Sequence, residues 1–394
     1  MHFKASRTKI RYCCWVGLFF IAGCAGGYNT SVPSASSAPS PAPAPSPTPS
    51  PTPPGPSTAS LFTMSNVASA NTVVAYARNA DGTLTQTGSF ATGGLGVGHG
   101  LENQGALALS DDGKYILVVN PGSNEISALQ ISAQGLKEVG RAPSGGRLPV
   151  SVTSRGSIIY VLNRGGEAGD PNGDNISGLR LGADGSLTPI ANSTNPLSSG
   201  NTNPAQIEFS PGGSVIVVTE HGGDLIDTYT VDTNGVAGGH RVQSSAGRGP
   251  FGFAFRNASE LFVSEAGGGT ASSYSLDAQG VLRTISAAVQ TQQATTCWLV
   301  ITPDGKEAYV SNTASGSIST FGIGPDGSLS LQASISVKTQ GGPLDMAITS
   351  DGLYLYVITT SGNIQVFRID ASGGLAQTQT LTGLPAGSNG LVSF

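Results

Sequence analysis

The sequence predicts an all-β protein: a seven-bladed β-propeller of four-stranded antiparallel blades, its ring closed by pairing the N- and C-terminal strands. Three observations predict it. A unit of short alternating strands joined by tight glycine turns recurs along residues 60–394. The glycines closing successive units fall at Gly82, Gly135, Gly185, Gly235, Gly280, Gly327 and Gly374, 45 to 53 residues apart, which is the period of a propeller blade. At the ends, LFTMSN (61–66) reads as a second strand without a first, and NGLVSF (389–394) as a first strand without a continuation.

Each unit opens on a short apolar strand and turns through an SPDG-like sequence. A second strand follows, ending in Asn or Glu, then a third alternating strand that leads to the closing glycine. The fourth blade reads NPAQIEFSPGGSVIVVTE and then LIDTYTVDTNGV, the sixth TCWLVITPDGKEAYVSN and then SISTFGIGPDGSL, and the seventh GPLDMAITSDGLYLYVI and then NIQVFRIDASGGL. Alternation such as Ile364, Val366, Phe367 and Ile369 fits strands rather than helices. Joining the two incomplete blades at the termini leaves no open edge in the ring.

Two segments precede the array. Residues 1–23 have the layout of an export signal: Lys4, Arg7, Lys9 and Arg11, then the apolar run CCWVGLFFIAG, too short to span a membrane as an ordinary helix. The run ends in Ile21-Ala22-Gly23-Cys24, which resembles the bacterial lipoprotein signal, with Cys24 as the lipidation site. Cys13 and Cys14 lie in the discarded part, so Cys297 is left alone, without a disulfide partner or a Cys-based metal site. Residues 24–59 are rich in Pro, Ser and Ala, with 11 of the 24 prolines between Pro33 and Pro56. Such a segment favours extended polyproline II at about 3.1 Å per residue. It reads as a tether between a membrane anchor and the propeller at 60–394.

Charge excludes some partners. The chain carries −5, and loss of the four N-terminal bases leaves −9, so nucleic acid, which needs a basic surface, is not expected. Gly322-Ile323-Gly324-Pro325-Asp326-Gly327 fits a dinucleotide fingerprint formally, but it runs into the repeated turn and no helix follows. There is no Gly-x-Ser-x-Gly elbow, and His99, His221 and His240 show no metal-ligand spacing. Asp170, Asn172 and Asp174 place oxygens at positions 1, 3 and 5 of a calcium-type loop, but Asn175 and Leu181 stand where Gly and Glu would be required. An Asp/Asn-rich turn is the expected reading there and calcium the alternative. No cofactor is expected.

The repeated NPxxIxFSPxG…VVTE pattern resembles the bacterial lactonase family of seven-bladed propellers, which includes 6-phosphogluconolactonase and carboxymuconate cyclase relatives. The resemblance spans residues 60–394, and PFGFAF, LFVSEA and CWLVITPDG are similar to segments of its exported branch. It implies a site in the funnel at one face, built where first strands begin and second strands end. The family's Glu at the end of the fourth blade's second strand falls on Glu220, whereas its Gly-Pro-Arg-His falls on Asn203-Pro204-Ala205-Gln206 and its His-rich lead into the preceding blade on Leu148-Pro149-Val150-Ser151. The expected Arg and His are therefore missing.

By repeat position, Glu220, Glu265 and Asp345 are the candidate catalytic acids, with Arg164, Gln206, His221 and Trp298 as candidate substrate-binding residues. The alternative is structural. Asn66, Asn120, Asn163, Glu220, Glu265 and Asn312 share one repeat position, where such side chains satisfy main-chain groups at a strand end. Cys297 reads as a buried small hydrophobe.

Two functions remain: an envelope-anchored hydrolase of a lactone or sugar-derived ester, and a non-catalytic propeller that binds a glycan, peptide or partner protein. Phosphorylated sugars fit neither, because the domain is acidic and lacks a basic cluster. A small-molecule lactone or carbohydrate is the expected ligand. The protein is expected to be a monomer, lipid-anchored in the bacterial cell envelope on the periplasmic or outer-membrane face, touching membrane only through its anchor.

Overall fold

The computed structural model describes residues 60–165 and 173–394. The described residues form seven antiparallel sheets and no helix. Cys24, the signal and tether segments, and Asp170 and Asn172 of the calcium-type loop lie outside the described residues.

Blade four shows the plan: Pro204–Phe209 nearest the axis, then Val215–Glu220, Leu225–Val231 and Ala237–Ser244 outward. First strands stand beside the first strands of both neighbours all the way round, so the ring is closed. Blade one is assembled from both ends of the chain. Asn389–Ser393 pairs antiparallel with Leu61–Met64, with Phe62 opposite Val392 and Thr63 opposite Leu391. Phe394 N–H then donates to Ser60 O at 3.0 Å, and the Phe62 and Phe394 rings meet edge-on at 5.9 Å.

The second strands are buried except for the first residue of three of them, Ile158, Glu260 and Glu307; Val215–Glu220 and Tyr354–Thr359 are buried throughout. Each packs between adjacent sheets, so the core is a set of interblade layers in which alternating Val, Ile and Leu interdigitate. The closing turns recur as read, with one correction. In blade seven the glycine in the turn is Gly373 (φ 77°), whose N–H reaches Asp370 O, and not Gly374. The double glycine obscures this, but counting three residues from Asp370 aligns it with Gly235, which follows Asp232 in the same way.

The axis is blocked part-way. Leu101–Gly105, on the way from blade one to blade two, crosses it. Gln104 Nε2 donates to Leu299 O at 3.0 Å and its Oε1 accepts from Leu299 N at 3.2 Å, while its main chain bonds Ala205 and Ser151. The segment thus bridges blades three, four and six.

Candidate functional site

Above this plug, at the end where first strands begin and second strands end, lies a cavity of about 710 Å³. Its floor is aromatic. Trp298, at 3% exposure, donates Nε1–H to Asn103 O of the plug at 2.8 Å and meets Phe251 edge-on at 5.0 Å. Cys297 lies beside them with its thiol pushed up to about 12 by burial, which makes it inert as a nucleophile.

The charged and imidazole lining is His99 and Glu102 from the segment leading into blade two, with His99 beside Asn66 and Gly387, and His221 from blade four. His221 follows the last residue of a second strand, so it faces the axis while Glu220 faces the interior of the blade. Its ring is wedged edge-on against Phe251 at 5.8 Å, and Asn203 Nδ2 lies 3.4 Å from its Nδ1. Gly249, with φ 65°, leaves it room; a Cβ there would stand 3.1 Å from Nε2. Burial holds the imidazole below its ordinary pKa, opposed by Asp224 and Glu102, so it is neutral at neutral pH and able to accept a proton. Arg164 sits behind this group with Nη2 donating to Glu102 O at 3.0 Å and Pro204 O at 3.4 Å, close enough to add positive field at His221.

The lip of the cavity is conformationally strained. Asn203 and Thr295, each just before a first strand, have φ of 49° and 58°, and Glu102 has 51°. Left-handed backbone is uncommon for Glu and rarer still for a β-branched residue, and such outliers cluster at functional sites.

The three candidate acids are not in the cavity lining. Glu220 is fully buried, accepting Ser198 N–H at 2.8 Å on Oε1 and the Ser198 hydroxyl on Oε2. Burial and the adjacent Asp227 push its carboxyl up to about 7; Asp227 itself, raised by burial to about 6, receives His240 Nε2 at 2.8 Å. Glu265 accepts Gly247 N–H at 2.7 Å, Ser272 Oγ at 2.6 Å, Ser245 Oγ at 3.2 Å and Thr270 Oγ1 at 2.5 Å. Asp345, raised to about 7 by burial, accepts Met346 N–H at 2.8 Å and Leu391 N–H at 3.2 Å, tying blade seven to the closing strand.

Gln206 also lies in the wall, clasping both main-chain groups of Phe253 at 2.7 and 3.0 Å. Asn120 and Asn312 hold neighbouring Ser and Thr hydroxyls in the same way as Glu265. Of the seven sequence candidates, His221 and Trp298 line the cavity, and Arg164 stands behind it. Glu102, His99 and Phe251 were not proposed from sequence as site residues. Among the described residues no cluster of His, Cys, Asp or Glu is arranged to hold a metal ion.

The family model described as "Lactonase, 7-bladed beta-propeller" matches residues 56–169, 174–300 and 201–394. The chain belongs to this lactonase family. Solved structures share the fold of this lactonase-family propeller at low sequence identity. A candidate 6-phosphogluconolactonase from Bacteroides fragilis has TM-score 0.68 at 19% identity, covering 85% of this chain and 98% of that one. The periplasmic gluconolactonase of Pseudomonas aeruginosa has TM-score 0.68 at 17% identity, covering 85% and 99%. Comparison with curated protein sequences gives no match.

Proposed function

We propose that this lactonase-family propeller is a hydrolase that opens a lactone or a related ester in the axial cavity. The observation that carries the reading is His221, with Glu102 close enough to act on its imidazole, in a cavity that has His99 as its one other charged or imidazole side chain and whose floor is closed by Trp298 and Phe251. His221 is assigned as the base: its neutral imidazole takes a proton from water, the water oxygen bonds to the carbonyl carbon, and the same proton then passes to the departing ring oxygen. Arg164, fixed by two carbonyls, contributes positive field where negative charge develops. Glu220, Glu265 and Asp345 are assigned to the fold, because each carboxyl is engaged within the wall.

The second reading, a propeller that binds a glycan, peptide or protein without turnover, draws on that same engagement of all three acids. The deciding experiment is hydrolysis of a panel of neutral and acidic lactones by the purified protein, comparing wild type, His221→Gln and Glu220→Gln. Loss of turnover in His221→Gln with activity kept in Glu220→Gln supports the assignment. No turnover of any lactone by wild type removes it.

The proposal also places the protein at the bacterial envelope, anchored through Cys24. The support is the Ile21-Ala22-Gly23-Cys24 sequence after a short apolar run and the proline-rich stretch behind it.

A further inference from the structure

The cavity's charged and imidazole side chains, His99, Glu102 and His221, come from the segment before blade two and from blade four, whereas blades five to seven and the segment 384–388 contribute no Asp, Glu, Lys, Arg or His. The surface these last elements form consists chiefly of Phe251, Trp298, Leu344, Ile358, Leu384 and Pro385, with His99 bordering it at Gly387. Most hydroxyls there are already engaged: Thr313 Oγ1 donates to Pro343 O at 2.8 Å, Ser388 Oγ to Pro385 O at 2.8 Å, and Thr360 Oγ1 accepts Gly342 N–H at 2.9 Å. Thr359, 1% exposed, has a hydroxyl with no partner among the described residues.

We infer that the cavity takes a lactone carrying an apolar alkyl or aryl substituent, with its ring against His221 and Glu102 and its substituent against Leu344, Ile358 and Leu384, in place of a polyhydroxylated or phosphorylated sugar lactone. The inference rests on the hydrolase reading for the lactone and on the lining alone for the apolar substituent. A sugar ring filling this space would turn several hydroxyls toward carbon, and each desolvated without a partner weakens binding. A phosphate would meet Glu102 and no lining Lys or Arg. An alkyl chain exchanges water for the aliphatic wall, and each methylene buried strengthens binding by about fourfold. The volume suits a ligand of this size, since pockets for small molecules run from about 300 to 1,000 Å³.

The test uses the full chain carrying Trp15→Phe, which leaves Trp298 as the one indole. Its fluorescence is titrated with δ-lactones of increasing alkyl length, with glucono-δ-lactone and with 6-phosphogluconate, and hydrolysis is measured separately on the lactones. The expected result is affinity rising about three- to fourfold per methylene along the alkyl series, with no response to either sugar compound at millimolar concentration. In half-buried Leu384→Gln, affinity for the longest lactone should fall about tenfold with the melting temperature unchanged. Glucono-δ-lactone binding more tightly than the alkyl lactones overturns the inference, even if it is hydrolysed, and the hydrolase reading then survives. Alkyl lactones that bind in the expected order without being hydrolysed support the apolar preference and overturn the hydrolase reading. An affinity independent of chain length and of Leu384→Gln overturns the apolar preference.

Discussion

Tyr160 of blade three donates its hydroxyl hydrogen bond to the carbonyl of Gly235, in the closing turn of blade four, at 2.8 Å, and its oxygen accepts Ala237 N–H at 2.7 Å. The same reach recurs round the ring: Tyr115 Oη bonds Ala183 O at 2.8 Å and Tyr309 Oη bonds Gly373 O at 2.9 Å. A second-strand tyrosine thus fastens its blade to the next blade's outer turn. Tyr160→Phe leaves a buried acceptor and a buried donor unpaired, an expected loss of about 2 kcal/mol. Calorimetry should register it as a melting temperature lower by about 3 °C; an unchanged value would show that these bonds carry no stability.

Ring closure gives a second prediction. Deleting residues 389–394 removes the strand opposite Leu61–Met64, the Phe394 contact with Phe62 and the Leu391 N–H that Asp345 binds. The truncated protein is expected to unfold at markedly lower denaturant concentration and to self-associate through the exposed edge. A denaturation midpoint equal to wild type would refute the closure's role in stability.

The buried Glu220–Asp227 pair makes stability depend on pH. With folded values of about 7 and 6, raised chiefly by burial, both groups bind protons more tightly in the folded than in the unfolded chain. The folded state therefore loses stability as pH climbs from the ordinary carboxylate range to about 7. Asp345 acts in the same sense. His240, held below its ordinary value by burial, acts oppositely at acid pH. The melting temperature should fall between pH 5.5 and 8, and Glu220→Gln should flatten that fall. Identical slopes in the two proteins would show that the pair holds no extra proton.

If His221 is the base, kcat/KM for a hydrolysed lactone should rise with pH across the acid range and level off by neutrality, because burial keeps its pKa below the ordinary histidine value. His221→Gln should lose at least about a hundredfold in kcat and with it the pH dependence, while KM changes little. A profile unaltered in that variant would move the base elsewhere.

Anchoring is tested by fractionation. The wild-type protein is expected with membranes and the Cys24→Ser variant in the soluble fraction. Wild type found wholly soluble would end the lipidation proposal.

The architecture was legible because it repeats: a turn glycine every 45 to 53 residues and complementary half-blades at the ends leave little freedom for another fold. The site was harder to read because a strand alternates sides at each residue. The conspicuous acids Glu220 and Glu265 occupy the last position of their strands and turn into the wall, and the next residues, His221 and Ala266, face the cavity. Thr313 follows Asn312 in the same way. In blades four, five and six, reading one position further along the repeat picks out lining residues. Glu102 and His99 escape even that rule, since they belong to an irregular segment unique to one junction and no repeat frame positions them. Only the strain at Glu102 marks the place.

The Gln104 clasp on Leu299 and the Trp298 bond to Asn103 have a further consequence for traffic. Among the described residues they turn what would be a tunnel through the ring into a vestibule closed at its floor. Whatever enters must leave by the same route, so incoming and outgoing molecules exclude one another. An accumulating product would compete directly with its own substrate, and a ligand tail that overfills the vestibule would protrude into solvent instead of threading through to the far face.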